Sequence, residues 1–300
     1  RLPIEKANDA YELIKPSSNE NPIGIIIEYP KDLDESKKIN LKNSKKKIFG
    51  NSAPKIGIIG VGGFASNVIL PILKKHNVEL IGICNHNPHS AHHKGIKSGF
   101  EYATTDSNEI MEDKNIDTVF ITTRHNTHGS LVIDALEANK NIFVEKPLAI
   151  LHEELDTIIK TYENFEETVP LVMVGFNRRF SPLTIKMKEL IKSRVNPSSI
   201  IITVNVGQID SDHWTQDINI GGGRIKGEVC HFIDLINYLA DDEIDDWHIM
   251  DLGQNKTKDT VSISCSFKNG SIGAIHYFAN GSKRFPKESQ SHRYDSKEGP

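Results

Sequence analysis

A glycine-rich turn between an apolar run and a helical pattern constrains this chain more than any other feature. Ile56 to Ile59 is a short apolar run bounded by glycine, which is typical of a buried strand. It is followed by the turn Gly60-Val61-Gly62-Gly63-Phe64-Ala65, a helical pattern over Asn67 to Lys75, and a second apolar run over Val78 to Cys84. In this context a G-x-G-x-x-A turn indicates a dinucleotide site, with the pyrophosphate at the helix N-terminus. The weaker alternative is a glycine-rich turn that has no ligand.

The order of strand and helix patterns divides the rest of the chain. From residue 55 to residue 175 they alternate, which predicts an α/β domain with a doubly wound parallel sheet, the Rossmann fold. From residue 176 to residue 288 several strand-like runs follow one another without helices between them, including Thr260 to Phe267 and Ile272 to Phe278. This pattern predicts an α+β domain with an open mixed sheet. The sheet is expected to be incomplete at its C-terminal side, since the polar segment 289–300 is predicted to be disordered or foreign to the fold.

The first thirty residues do not have the pattern of an independent domain. Ile4 to Ile14 has helical spacing and Ile25 to Tyr29 is strand-like, and one helix with one strand cannot bury a core. The pair resembles the last helix and strand of a medium-chain, zinc-type alcohol dehydrogenase, which implies a fused or neighbouring dehydrogenase domain. A plain N-terminal extension is the alternative. Residues 31–54 are charged and rich in Asn, Ser and Lys, and predict a linker.

Charge and cysteine content exclude several classes of protein. The net charge of −4 argues against a nucleic-acid partner, and no apolar run has the length of a membrane span. Cys84, Cys230 and Cys265 are odd in number and far apart, which favours reduced thiols in a cytoplasmic protein.

Four segments, in this order, resemble the Gfo/Idh/MocA family of NAD(P)-dependent oxidoreductases, which includes glucose–fructose oxidoreductase and inositol dehydrogenase. They are Gly60 to Ala65, Thr122 to His128, Glu145-Lys146-Pro147, and Gly221-Gly222-Gly223 followed by His231. The resemblance covers residues 55 to about 287. It implies NAD or NADP as cofactor and hydride transfer between the nicotinamide and a sugar, nucleotide sugar or cyclitol. It also implies a homo-oligomer formed through the open sheet. The alternative is a non-catalytic dinucleotide-binding module or sensor.

Two residues are the main candidates for the chemistry. Lys146 directly follows a strand, so its side chain is expected at the carboxyl edge of the sheet, where ligands bind in open α/β folds. It matches the lysine of the family's EKP motif, which contacts both substrate and cofactor. His231 lies on an amphipathic helix and can accept a hydroxyl proton as hydride leaves. Glu228, three residues earlier on the same helix, is predicted to orient or acidify it.

The chain departs from the family pattern at several positions. Many members have an aspartate four residues before the histidine, whereas this chain has Gly227, and Glu228 is the expected replacement. Asn85 stands where an acidic residue ordinarily binds the ribose 2′-hydroxyl, which makes NADP as plausible as NAD, with His86 or Lys94 holding the 2′-phosphate. Arg124 and His125 replace a proline and an asparagine of the family's cofactor-lining segment.

The remaining predicted contacts follow from the resemblance. No metal is predicted, because the cluster His86, His89, His92 and His93 has no accompanying cysteine or carboxylate. Arg178, His213 and Trp214 are predicted to bind substrate, together with Lys146 and His231. The predicted cofactor-binding residues are Gly60, Gly62, Gly63, Phe64, Ala65, Asn85, His86, Thr122, Thr123, His128, Glu145 and Lys146.

Overall fold

The computed structural model describes residues 1–15, 22–29, 36–41, 53–166, 168–192, 196–253, 259–282, 284 and 286–294 of the 300-residue chain. None of the helices in these ranges combines the length and apolar character that a membrane crossing requires.

The chain begins with a small unit of two strands and a helix. Strand β1 (Leu2–Pro3) pairs in parallel with β2 (Ile27–Glu28), and helix α1 (Ala7–Leu13) lies between them in sequence. Ala10 is the residue of α1 that is buried. The helix and the second strand were predicted, and β1 was missed because two residues carry no readable period.

The next unit is a seven-stranded sheet. Its order is β3-β6-β5-β4-β7-β8-β9, and all neighbours are parallel except β3 with β6. The strand order reverses between β4 and β7, the position at which open α/β sheets bind ligands. The strands are β3 (Lys38–Asn40), β4 (Lys55–Ile59), β5 (Glu79–Cys84), β6 (Tyr102–Thr104), β7 (Thr118–Ile121), β8 (Asn141–Val144) and β9 (Val172–Val174).

Helices cover both faces of this sheet. One face packs against α5 and α6 through residues such as Val132, Leu136 and Ile158, and the other packs against Leu70 and Ala91. Burial on both faces explains why these strands are nearly continuous apolar runs. The helices are α2 (Leu70–Leu73), which continues a π-helical turn over Ala65–Ile69, then α3 (Pro88–Ser98), α4 (Asn108–Met111), α5 (His128–Glu137) and α6 (His152–Glu163).

The second domain is a five-stranded mixed sheet with one covered face. Its strands are β10 (Ser198–Asn205), β11 (Ile244–Asp251), β12 (Val261–Phe267), β13 (Ile272–Phe278) and β14 (Glu288–Tyr294). Their order is β11-β12-β13-β10-β14, and β10 with β13 is the parallel pair. Helix α7 (Pro182–Ile191) precedes the sheet, and α8 (Cys230–Ala240) continues a π-helical turn over Ile225–Val229. The core lies between α8 and the sheet.

This architecture confirms the predicted Rossmann sheet followed by an open mixed sheet, but two segment predictions need correction. Within the predicted linker 31–54, residues 38–40 form β3 at the edge of the Rossmann sheet, and Leu41 is buried against α3 and β5. Within the predicted tail 289–300, residues 289–294 belong to β14 and pair with β10, while residues 295–300 lie outside the described residues. Both edge strands are polar, so their sequences lack the apolar signal of a central strand.

Candidate dinucleotide and substrate cleft

The glycine-rich turn lies where the sequence places it, directly after β4. Gly60 has φ +82°, and a Cβ there would lie 2.8 Å from the backbone of Thr123, so this position requires glycine. A Cβ at Gly62 or at Gly63 would meet no atom within 4 Å, which means that both face open space. Ala65 is buried in the core that joins the turn to β4 and β5. The loop therefore leaves room for a ligand beside the first turn of the helix, where amide N–H groups have no intrahelical partner.

Two side chains hold the glycine-rich turn in place through hydrogen bonds to its backbone. Asn85 Oδ1 accepts a hydrogen bond of 3.3 Å from Val61 N, and Lys94 Nζ donates to Val61 O. Lys94 therefore contacts the backbone of the loop. Contrary to the prediction, it does not extend toward a 2′-phosphate. Asn85 and the exposed His86 both line the cleft.

The segment after β7 combines hydroxyl and imidazole groups. Thr122 Oγ1 donates to Gly60 O, and Thr127 Oγ1 donates to Thr123 Oγ1 over 2.7 Å. His128 is fully buried, with Nδ1 2.7 Å from Pro147 O and Nε2 3.2 Å from Thr123 O. We place its single N–H on Nδ1, which has the closer acceptor, since burial lowers the pKa of this imidazole. His128 thus fixes the loop around Pro147 and forms part of the cleft wall.

Glu145 and Lys146 follow β8 at the same edge of the sheet, and both line the cleft. Burial raises the pKa of the Glu145 carboxyl, and the neighbouring ammonium of Lys146 opposes that shift. Lys146 Nζ donates to the carbonyl oxygen of Gly227 in the π-helical turn of the second domain. An ammonium has three N–H donors, so this bond fixes Lys146 and leaves further donors for a ligand.

His231 reaches the same cleft from the second domain. Its ring packs edge-on against Phe176, with the ring centroids 6.1 Å apart. Desolvation lowers the pKa of His231 to about 3, and the positive charges of Lys146 and Arg178 act in the same direction. The imidazole is therefore neutral near pH 7. Its Nδ1 is buried and has no hydrogen-bond partner among the described residues, which is unusual outside functional sites.

Glu228 lies elsewhere than predicted. Its carboxylate accepts hydrogen bonds from Arg224 Nη2, at 3.3 Å, and from the hydroxyl of Tyr277 on β13. Arg224 is only 2 % exposed and donates to Gly207 O as well. Glu228 is not among the residues that line the cleft. We therefore correct its assignment, because this carboxylate neutralises a buried guanidinium and does not orient His231.

The predicted substrate residues separate into two groups. Trp214 lines the cleft, with Arg124 stacked over its ring at 5.6 Å. Arg178 forms an ion pair with Glu288 at the start of β14 and lies outside the cleft lining. His213 is exposed beside the cleft, with Nδ1 2.8 Å from Thr215 Oγ1. Of the three, Trp214 is the one that the fold brings to the site.

His125 is a site residue that the sequence did not single out for a role. It is 8 % exposed, its Nδ1 lies 2.8 Å from Gly221 O, and its ring meets that of Trp214 edge-on at 4.8 Å. Burial lowers its pKa to about 4, partly offset by the bond to Gly221. Its place in a loop that joins the two domains depends on contacts almost a hundred residues away, so local patterns could not have identified it.

These elements enclose one cleft of about 1250 Å³ between the two domains. Its volume exceeds the roughly 300–1,000 Å³ of pockets for drug-sized ligands, as a dinucleotide with a second small molecule would require. Among the described residues, no group of three or more His, Cys, Asp or Glu side chains is arranged to hold a metal. The residues that line the cleft include the glycine-rich turn with Phe64 and Ala65, then Asn85, His86, Thr122, Thr123, His125, His128, Glu145, Lys146, Trp214 and His231.

Comparison with known proteins finds a family match for the first domain and relatives that extend beyond it. Residues 54–176 match an oxidoreductase family with an NAD-binding Rossmann fold, GFO_IDH_MocA. The chain is 26 % identical over 228 residues to the myo-inositol 2-dehydrogenase of Thermotoga maritima, covering 74 % of this chain and 67 % of that protein. It is 28 % identical over 182 residues to an inositol 2-dehydrogenase/D-chiro-inositol 3-dehydrogenase of Lactiplantibacillus plantarum, covering 53 % of this chain and 51 % of that protein.

A solved structure with the same fold is that of levoglucosan dehydrogenase in complex with NADH. It superposes with a TM-score of 0.69 at 24 % identity, covering 80 % of this chain and 70 % of that chain. Over residues 54–176 this chain is therefore similar to the Gfo/Idh/MocA family of NAD-binding oxidoreductases.

Proposed function

We propose that this protein is a nicotinamide-dependent dehydrogenase that transfers hydride between the cofactor and a CH–OH carbon of a cyclitol, sugar or nucleotide sugar. The observation that carries the proposal is the meeting of three elements in one cleft. The open glycine-rich turn, Lys146 and His231 all line it, although they come from three distant segments and two domains. The inositol dehydrogenases to which the chain is similar support the same class of substrate.

The residues around the turn fit a dinucleotide. Open space beside Gly62 and Gly63 allows the backbone to approach a pyrophosphate, and the N-terminus of the following helix offers N–H groups to the anion. When bound, the nicotinamide cofactor supplies hydride acceptance or donation, and the protein supplies binding and proton handling. Asn85 and His86 line the cleft, and position 85 has an amide in place of the carboxylate that would repel a 2′-phosphate, so we propose that both NAD and NADP are accepted.

Lys146 and His231 divide the work at the reacting oxygen. Lys146 is held by Gly227 O and presents an ammonium that hydrogen-bonds the oxygen as it alternates between hydroxyl and carbonyl. His231 is neutral and can accept the hydroxyl proton, and its low pKa means that it passes this proton on to water readily. Trp214 offers an apolar ring face to the substrate at the mouth of the cleft.

The test combines cofactor binding with turnover. Fluorescence titration with NADH and NADPH measures binding, and absorbance of the reduced nicotinamide measures oxidation of myo-inositol, scyllo-inositol, glucose and levoglucosan. The Lys146→Met variant is expected to lower kcat by roughly 10²- to 10³-fold, the usual effect of removing one donor to a developing negative charge. Lys75→Met, on an exposed position, is the matched control. Cofactor binding without turnover of any polyol would favour a non-catalytic sensor.

We also propose that the β1–α1–β2 unit is the remnant of a preceding medium-chain dehydrogenase domain and belongs to its parallel sheet. The β1–α1–β2 unit is too small to bury its own core, and Tyr11 in its helix and Ile14 just after it are 69 % and 62 % exposed.

A homo-oligomer formed by the open mixed sheet and a cytoplasmic location are further proposals. The three free cysteines support the latter. Sedimentation of the purified protein and thiol labelling before and after reduction would test both.

A further inference from the structure

His125 and Gly227 lie in contact across the boundary between the two domains. A Cβ built on Gly227 would lie 3.0 Å from Cε1 of His125, closer than side chains ordinarily approach. The imidazole therefore fills the space that a side chain at position 227 would need. These are also two of the positions at which the sequence departs from its family pattern, and the fold brings the two departures together.

The hydrogen bonds of His125 define what its ring can offer. Gly221 O can only accept, so Nδ1 carries the proton in the bond of 2.8 Å, and in the neutral ring Nε2 is left with a free lone pair. Among the described residues, no group donates to Nε2. Edge-on packing against Trp214 and tilted packing against His128 hold the ring in this orientation. His125 is thus a fixed hydrogen-bond acceptor in the wall of the cleft.

The same position is directly linked to Lys146. Gly227 carries the carbonyl that accepts from Lys146 Nζ, while the space above its Cα is taken by His125. The ammonium of Lys146 and the imidazole ring of His125, through the Cε1 that is bonded to Nε2, therefore both contact one residue of the π-helical turn. A hydroxyl that is both donor and acceptor matches this pair, since it accepts from the ammonium and donates to the imidazole.

We propose that His125 binds the substrate, accepting a hydrogen bond from the hydroxyl beside Lys146, and that it does so in the place of a side chain that Gly227 lacks. The proposal rests on the proposed dehydrogenase function and adds a third residue to its reaction centre. It requires that positions 125 and 227 act as a coupled pair: the imidazole needs glycine at 227, and a short carboxylate at 227 needs a smaller residue at 125.

The test is a double-mutant cycle of His125→Asn, Gly227→Asp and the double variant, with myo-inositol as the probe. Asn retains a donor for Gly221 O, but its shorter side chain has no acceptor at the position of Nε2. The kcat should therefore fall by roughly 10- to 100-fold, the loss expected for one hydrogen bond to a charged group. The kcat of Gly227→Asp should fall by a similar factor, because the new Cβ displaces the His125 ring. The double variant should recover most of the activity. His89→Asn, on the exposed face of α3, is the control.

A second readout does not depend on turnover. In the apo protein, Gly227→Ala should lower the melting temperature when His125 is present and should raise it or leave it unchanged in the His125→Asn background. There the crowding is relieved, and Ala is preferred over Gly in a helix. Calorimetric titration of myo-inositol into the NADH complex should show weaker binding by His125→Asn even in the absence of turnover.

The outcomes separate the two proposals. A wild-type protein that oxidises no polyol refutes the proposed function, whereas the melting-temperature cycle still decides whether 125 and 227 are coupled. If Gly227→Ala changes the melting temperature equally in the wild-type and His125→Asn backgrounds, positions 125 and 227 are not coupled. A His125→Asn variant with unchanged kcat, or with unchanged affinity for myo-inositol, would overturn the acceptor role.

Discussion

Removing the Glu228 carboxylate should destabilise the second domain and leave the chemistry intact. Arg224 is 2 % exposed, and Glu228 is its counter-ion at 3.3 Å. Breaking a buried pair by removing one partner costs about 3–5 kcal/mol, and we take the lower end because the Glu228 side chain is 31 % exposed and water can partly replace it. At about 2–4 °C per kcal/mol, Glu228→Ala should lower the melting temperature by about 6 to 12 °C.

Conservative changes in the same cluster set the scale. Glu228→Gln keeps an acceptor for the hydroxyl of Tyr277 and loses only the charge, so it should lie between wild type and Glu228→Ala. Tyr277→Phe removes one hydrogen bond to a carboxylate and should cost about 1.5–3 kcal/mol. Thermal denaturation followed by circular dichroism measures all three, with kcat measured well below each melting temperature. A Glu228→Gln variant with an unchanged melting temperature and a hundredfold lower kcat would refute this reasoning and restore a catalytic role.

Three other predictions concern the cleft itself. Gly60→Ala should weaken NADH binding at least about tenfold in the fluorescence titration, because its Cβ meets the backbone of Thr123. Gly99→Ala is the control, since Gly99 has a similar positive φ with free space around it, and this variant should bind NADH as the wild type does. Because burial lowers the pKa of His231 to about 3, this base stays deprotonated as pH falls, so the acid limb of kcat/KM should lie well below the ordinary 6.5; a limb near 6.5 would contradict this. Asn85→Asp should shift the ratio of NADP to NAD affinity at least about tenfold toward NAD, since its carboxylate repels a 2′-phosphate; an unchanged ratio would place the 2′ position elsewhere.

The parts of the site that follow strand ends could be predicted from sequence. Gly60 to Ala65 and Lys146 each come after a short apolar run, and the carboxyl ends of parallel strands meet at one edge of a sheet. The alternation of patterns was sufficient to place both there. His231 required the resemblance as well, since amphipathic spacing gave its helix but not the surface that the helix faces.

The parts that depend on contacts between distant segments could not be predicted. Glu228 was assigned to His231 because both lie on one helix, but Tyr277 on β13 and the buried Arg224 offer stronger partners. The carboxylate pairs with the buried guanidinium of Arg224, because leaving a buried charge unpaired costs more free energy than leaving an imidazole without a partner that orients it. The π-helical turn over Ile225–Val229 adds to the difficulty, since it shifts side chains away from their ordinary 3.6-residue positions. Spacing alone therefore gives the wrong neighbour.

The contacts that join the two domains differ in kind from those that fill the cleft. Lys146 and His125 both cross the boundary to backbone carbonyls, those of Gly227 and Gly221. A carbonyl acceptor is present whatever the side chain, so this docking depends on backbone shape and on the absence of side chains at the two glycines. Trp214, which would contact a substrate, is by contrast a side chain that a single substitution removes. The position of Lys146 and the contact with Trp214 can therefore change independently, and substitutions at Trp214 should alter KM for different polyols more than kcat.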